Sequence, residues 1–501
     1  MSAAKEHEKV SPESWKLTGS WAGAWKTFAG IGAVGLLASG AGFASDPRRF
    51  GYSWLFAFIT VLAVALGATF FVLIQRLTAA HWSVTVRRTA EFFAYGLLVM
   101  IALALPVLGL ADKIFPWAAS GHGEHAAPAG EHHSALPSLI KDAHAQEHGG
   151  HDTAKAPAAG HGEAQDPAKT GDPAGKLPGS AKQMPSDAAH GGHAEHAAAG
   201  HGAAAHADKA HAEHEAHQRI HHTTLGKKAG YLNKGFFYAR AVFYFLVWAL
   251  LATRLFGLST AQDKSKDPKL TLQAQSFSAP GTFLFGISLT FAAFDWVMSL
   301  EPAWFSTIFG VYYFATGVVS SLAVMILVTM ALRDAGPLKG AVTTEHYHDL
   351  GKLMFGFNIF WAYIGFSQFM LIWYAALPEE TTWYHNRWDV APWPTVSMAI
   401  VFGHFVLPFL FLISRNVKRR LPWLRIGAAI LLAMHAVDIY WFVMPNFLQG
   451  KEGFSFHWMD VTCLMAVAGI YGAFVFHQMT KHALVPIGDP RLRRSLEFQN
   501  A

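Results

Sequence analysis

The chain has 501 residues, of which 52% are hydrophobic and 15% charged, with a formal net charge of +5 at pH 7. Its single cysteine, Cys463, excludes an internal disulfide and a four-cysteine iron–sulfur cluster, and no CxxCH haem-attachment motif occurs. The basic charge does not indicate a nucleic-acid partner, because lysine and arginine concentrate in the cytoplasmic loops of membrane proteins.

Ten apolar runs are each long enough to cross a lipid bilayer, which takes about 20 residues. In chain order they cover roughly 24–44, 52–74, 90–111, 236–257, 280–300, 304–332, 351–377, 393–415, 423–445 and 457–480. The first run is the least apolar, since it carries Lys26 and several glycines. The pattern predicts an all-α integral membrane protein with ten transmembrane helices.

A long polar segment at 112–235 separates the third span from the fourth. It is rich in alanine, glycine and proline and holds most of the 28 histidines. Because the segment has few large apolar residues, their burial cannot offset the conformational entropy lost on folding. We therefore expect a disordered insert. Spacings such as His190/His193/His196 could bind a divalent metal loosely, but no ligand spacing repeats and we assign no metal site.

The insert divides the chain into four parts. Residues 1–111 hold the N-terminus and three spans, 112–235 the insert, 236–482 seven spans and 483–501 a tail. A cytoplasmic N-terminus puts most lysines and arginines of the short loops on the cytoplasmic side. We therefore expect both termini in the cytoplasm and the insert outside it, as in a multi-pass protein of a bacterial inner membrane.

Ionisable residues inside or beside the spans are the candidates for function, because a charge at a helix centre costs roughly 2.5–3.5 kcal/mol. His404 and His435 lie about 15 Å from the outer surface by helical rise. Asp438 follows His435 by one turn on the same helical face. The predicted outer pathway comprises Asp295, Glu301, His404, His435, Asp438, His457 and Asp460.

Three interpretations of this set stay open. It is a proton path, or His404 and His435 ligate a b-type haem, or the groups make structural hydrogen bonds worth about 0.6 kcal/mol each. On the cytoplasmic side Glu91, His348 and Asp349 are candidates for proton uptake, with an ordinary charged membrane edge as the alternative. We assign no catalytic residue.

Four sequence blocks resemble one family of respiratory membrane subunits. They are FGYSWLFAFITVLAVALGATFFVLIQRLT (50–78), FDWVMSLEPAWFSTIFGVYYF (294–314), YHDLGKLMFGFNIFWAYIGFSQFMLIWYAALPEET (347–381) and MHAVDIYWFVMP (434–445). The blocks are similar to ActF, a membrane subunit of alternative complex III, which is a quinol:electron-acceptor oxidoreductase. ActF is itself similar to its sister subunit ActC and to NrfD-type subunits of polysulfide-reductase-like enzymes.

The resemblance implies two four-helix bundles, spans two to five and six to nine, flanked by spans one and ten. It implies partner subunits that carry haem c and iron–sulfur clusters, and an ActC-like sister that binds quinol. This chain would bind no haem or cluster itself, which weakens the haem interpretation, and quinone or quinol is the cofactor left open. The expected role is a supporting subunit, either non-catalytic or quinone-binding, with proton conduction as a further possibility.

Two alternatives belong to other functional classes. A stand-alone secondary transporter would usually show spans broken near the midplane by glycine or proline, and no convincing pair of such breaks is evident. A b-type cytochrome membrane anchor would need the two buried histidines as haem ligands.

Overall fold

The computed structural model describes residues 15–119, 225–448, 453 and 456–500, and these contain helices but no strand. Ten of the helices are long and apolar enough to span a membrane. They are α1 (Trp21–Ser45), α2 (Pro47–Leu77), α3 (Val84–Gly109), α4 (Lys234–Ser265), α5 (Lys269–Leu300), α6 (Phe309–Asp334), α7 (Thr344–Ala375), α8 (Trp393–Leu412), α9 (Leu421–Leu448) and α10 (Trp458–Lys481). The predicted all-α membrane class with ten spans is confirmed.

The spans form two four-helix bundles and a flanking pair. Helices α2–α5 pack around one another as bundle one, and α6–α9 pack likewise as bundle two. The bundles meet chiefly along α2 and α6, where Gly67 lies against the backbone of Gly317 and has no room for a side chain. Helices α1 and α10 pack on each other and on α2. The predicted arrangement of bundles and flanking helices is therefore confirmed.

Both ends of the described chain lie on one face of the helical array, called here the terminal face. The amide of Leu484 donates to the carbonyl of Trp15 at 2.9 Å, which joins the two ends directly. The opposite, distal face carries the short loops α1–α2, α5–α6 and α9–α10. A helix at Pro378–Trp388 also lies there, between α7 and α8.

The described chain continues past both predicted edges of the polar insert. Short helices cover Ala111–Ile114 and Pro116–Ala119, and one helical turn at 225–228 precedes α4. The ammonium of Lys228 donates to the carbonyl of Pro302 at 2.7 Å, so this turn is tied to the α5–α6 loop. The rest of the insert, including the histidine spacings noted above, lies outside the described residues.

Glycines in α1 form the contact surface for α10. A Cβ atom at Gly32 would lie 2.9 Å from the amide nitrogen of Ile470, and one at Gly35 would lie 2.9 Å from the Cα of Ala466. Close backbone approach through small residues is a common way for membrane helices to associate. The glycines that lower the hydropathy of the first span therefore create its packing surface.

Replacing Gly35 with leucine should detach α1 from α10, because the new side chain would meet the backbone of α10. Gly40, on the same helix, faces open space and provides the matched control. We expect Gly35→Leu to lower the melting temperature in detergent markedly and Gly40→Leu to leave it nearly unchanged. Equal melting temperatures for the two variants would contradict this packing surface.

Candidate functional site

The central polar cluster of bundle two is built around Asp438, whose carboxylate is completely buried. The indole Nε1 of Trp361 on α7 donates to it at 3.0 Å, and the Tyr312 hydroxyl on α6 donates at 3.5 Å. Among the described residues no lysine or arginine nitrogen lies within 4 Å of this carboxylate. A buried acid with neutral partners only is suited to carrying a proton, because its charged form lacks a compensating cation.

His404, on α8, contacts the same tryptophan as this acid. Its ring stacks on Trp361 with the ring centroids 3.9 Å apart, and the residue is fully buried. Neither ring nitrogen has a hydrogen-bond partner among the described residues. Its backbone belongs to a π-helical segment, Val401–Val406, and such insertions are frequent at functional sites.

Asn358, one turn from Trp361 on α7, is a further buried polar side chain in this part of bundle two. Neither its amide nitrogen nor its amide oxygen has a protein partner among the described residues. Buried polar atoms left without partners are costly, and internal water molecules are the usual way in which proteins satisfy them. Asn358 and His404 therefore mark the part of the cluster best suited to bound water.

His435 connects the cluster to bundle one. Its Nε2 lies 3.1 Å from the carbonyl oxygen of Thr60 on α2, and its Nδ1 lies 2.9 Å from the hydroxyl of Thr316 on α6. Because a carbonyl only accepts, Nε2 carries the proton, and the neutral ring accepts from Thr316 at Nδ1. Both nitrogens are thus engaged, and this geometry does not favour the paired haem ligation of His404 and His435.

A second set of polar groups leads from the cluster towards the distal face. Gly365 has no side chain, so the α7 backbone lies close to the Tyr312 hydroxyl. A Cβ atom at Gly365 would lie 3.3 Å from the hydroxyl oxygen. One turn on, Gln368 accepts from the Ser306 hydroxyl at 3.1 Å and donates to the Tyr384 hydroxyl at 3.3 Å. The polar groups therefore extend from Asp438 to the distal loops.

Asp295 does not join this cluster. It lies in bundle one, where Nε and Nη2 of Arg240 donate to its two oxygens at 2.8 Å each and the Tyr244 hydroxyl donates at 2.6 Å. The guanidinium of Arg240 stacks in turn over the Tyr231 ring at 3.7 Å. This bidentate pair neutralises the acid in place, so its geometry is typical of a structural ion pair.

The remaining distal candidates also lie apart from Asp438. Asp460 pairs with Arg49 at 2.5 Å, while the side chain of His457 caps the start of α10. Glu301, in the α5–α6 loop, accepts a long hydrogen bond from the side-chain amide of Asn386 at 3.5 Å. Burial raises the pKa of Glu301, although the nearby Arg387 charge opposes that rise.

The terminal-face candidates belong to two separate clusters. The Glu91 carboxylate is bound by three arginines, with distances of 2.8 Å to Arg76, 3.1 Å to Arg87 and 3.0 Å to Arg88. Asp349 pairs with Lys352 at 2.5 Å and accepts from the tail residue Asn500 at 3.0 Å. His348 lies 3.5 Å from the same amide nitrogen. None of these contacts reaches the central cluster.

Several members of these clusters were not singled out from the sequence. Arg240 could have been found by the same signal as Asp295, since it too is a charge within an apolar span. Trp361 and Asn358 carry no such signal, because neither side chain is ionisable. Asp489, which pairs with Arg87 at 2.6 Å, lies outside the spans in a tail whose fold could not be anticipated.

The comparisons with known proteins identify no family. No protein-family model matches the chain, and no curated protein matches it.

Proposed function

We propose that this chain is a membrane subunit of a respiratory quinol:electron-acceptor oxidoreductase of the alternative complex III type. In this role it supports quinol oxidation and contributes a proton half-channel in bundle two. The observation that carries the proton role is a buried group in which Asp438 and His404 both contact Trp361 and His435 bonds to Thr316. Polar groups continue from it to the distal face. The assignment to this kind of complex is supported by the four sequence blocks quoted above.

The proposed half-channel opens on the distal side only. Buried polar groups of α6 near the cluster include Thr316, Ser320 and Ser321. The next one towards the terminal face is Thr329, which bonds to its own helix backbone at 2.6 Å. Ser321 and Thr329 are eight positions apart, which corresponds to about 12 Å of helix. In this proposal protons reach His404 and His435 from the distal side, and the next part of α6 towards the terminal face is apolar.

Partner subunits supply the redox centres in the proposed complex. The described residues hold no group of three or more histidine, cysteine, aspartate or glutamate side chains arranged for a metal ion. The family resemblance supports assigning electron transfer to partner subunits that carry haem c and iron–sulfur clusters, and quinol binding to an ActC-like sister. The positive terminal face is placed in the cytoplasm of a bacterium, with the distal face outside the inner membrane.

Purification of the tagged full chain from its native membrane tests the assignment. We expect co-elution with haem c and iron–sulfur subunits and with quinol-oxidising activity. The isolated chain should give no b-type signal in a reduced-minus-oxidised spectrum. Elution of the chain alone would overturn the proposal and favour a transporter, while a b-type signal would favour a cytochrome.

A further inference from the structure

A groove at the membrane edge of the terminal face lies where α1 approaches α6 and α9. It has a volume of about 540 Å³ and is lined by Trp21, Leu327, Ala331, Asp334, Ala335 and Arg425. Asp334 ends α6 and Arg425 lies in the first turns of α9, so the charged part is at the end of the spans. Leu327 lies seven residues before Asp334, about 10 Å deeper along the helix. The groove therefore runs from a charged mouth to an apolar wall.

The two charges at the mouth are paired but accessible. Arg425 Nη2 lies 2.5 Å from Asp334 Oδ2, and the side chains are 46% and 55% exposed. Their pair has no net charge, so it matches a ligand that carries one positive and one negative group. The C-terminal end of α6 adds partial negative charge beside Asp334, which favours an ammonium group there.

We propose that this groove binds the headgroup of a zwitterionic aminophospholipid of the phosphatidylethanolamine type. Arg425 binds the phosphate, Asp334 accepts from the primary ammonium, and the start of one acyl chain lies along Leu327 and Ala331. Trp21 lies at the headgroup level, where tryptophan side chains are enriched in membrane proteins. A quaternary ammonium headgroup has no N–H to donate to Asp334, and an anionic headgroup would be repelled by it.

Lipid retention by the full chain tests this site. The protein is reconstituted into vesicles of equimolar phosphatidylethanolamine and phosphatidylglycerol and extracted in mild detergent, and the retained lipid is quantified by mass spectrometry. We expect the wild type to retain phosphatidylethanolamine several-fold above its bulk ratio. Asp334→Asn should shift retention towards phosphatidylglycerol, because Arg425 is then uncompensated. Arg425→Gln should lower the retention of both lipids.

The exposed pair Arg493–Glu497, joined at 3.0 Å on the same face, provides the matched control. Removing both of these charges should leave lipid retention unchanged. Arg425→Lys keeps the cation and should keep the wild-type preference, which separates loss of charge from misfolding. The site would be overturned if the wild type retained the two lipids at their bulk ratio. It would also be overturned if the control variant shifted lipid retention as much as Asp334→Asn does.

Discussion

Replacing Asp489 with alanine is expected to destabilise the protein by about 3–5 kcal/mol, the usual effect of removing one partner of a buried ion pair. Its carboxylate lies 2.6 Å from Arg87 and 3.9 Å from Arg76, and both guanidiniums are buried. After the substitution, Arg76, Arg87 and Arg88 would be balanced by only two acids of this cluster, Glu91 and Asp263. We expect a much lower melting temperature in detergent and faster proteolysis of the tail 483–501.

A control for this prediction lies eight residues along the same tail. Glu497 pairs with Arg493 at 3.0 Å, but the two side chains are 58% and 87% exposed. Exposed pairs contribute about 0–1 kcal/mol, so Glu497→Ala should change neither the melting temperature nor the proteolysis rate appreciably. If Asp489→Ala behaved like Glu497→Ala, the buried cluster would not hold the tail.

The same cluster predicts a pH dependence. Burial would raise the pKa of Asp489, but Arg87 and the neighbouring hydrogen bonds lower it to about 2. A carboxyl with a lowered pKa in the folded state contributes stability above its ordinary pKa of about 4, which is lost as the pH falls towards 2. Tail proteolysis by an acid-active protease should therefore be constant from pH 7 to about pH 5 and accelerate below about pH 4.

The spans could be predicted from the sequence because the bilayer imposes a simple rule of length and apolarity on each helix. Their boundaries differ from the prediction where helices extend past the apolar runs, as α4 does to Ser265 and α7 does from Thr344. The extra turns carry residues such as Lys264 and Glu345, which hydropathy alone excludes from a span. The two-bundle packing was implied only by the family resemblance, since an apolar run does not identify its neighbours.

The depth of the site residues along their helices did not determine which of them lie together. His404, His435 and Asp438 lie within about one helical turn in depth and in one bundle. His404 and Asp438 both contact Trp361, and His435 bonds to Thr316. Asp295 lies on the same side of the membrane midplane, but α5 belongs to bundle one and turns the acid towards Arg240. Depth follows from position along a helix, whereas the direction a side chain faces depends on packing that one sequence does not reveal.

Asp438→Asn is the substitution expected to affect proton movement most strongly. The amide keeps the size of the side chain and can still accept from Trp361, so the assembled complex should retain its quinol oxidation. It cannot take up a proton at this position, and a positioned proton-transfer group commonly contributes about 10²–10⁴-fold in rate. We expect proton translocation by the complex in proteoliposomes to fall at least about tenfold, measured with an entrapped pH indicator.

Asp295→Asn provides the contrast, because it removes a buried acid of similar depth outside the half-channel. It leaves Arg240 without its bidentate partner, so we expect lower stability and a lower yield of the complex. The complex that does assemble should translocate protons at the wild-type ratio to electrons. Unchanged translocation in Asp438→Asn, or an equal loss in both variants, would contradict the half-channel, since only Asp438 shares Trp361 with His404.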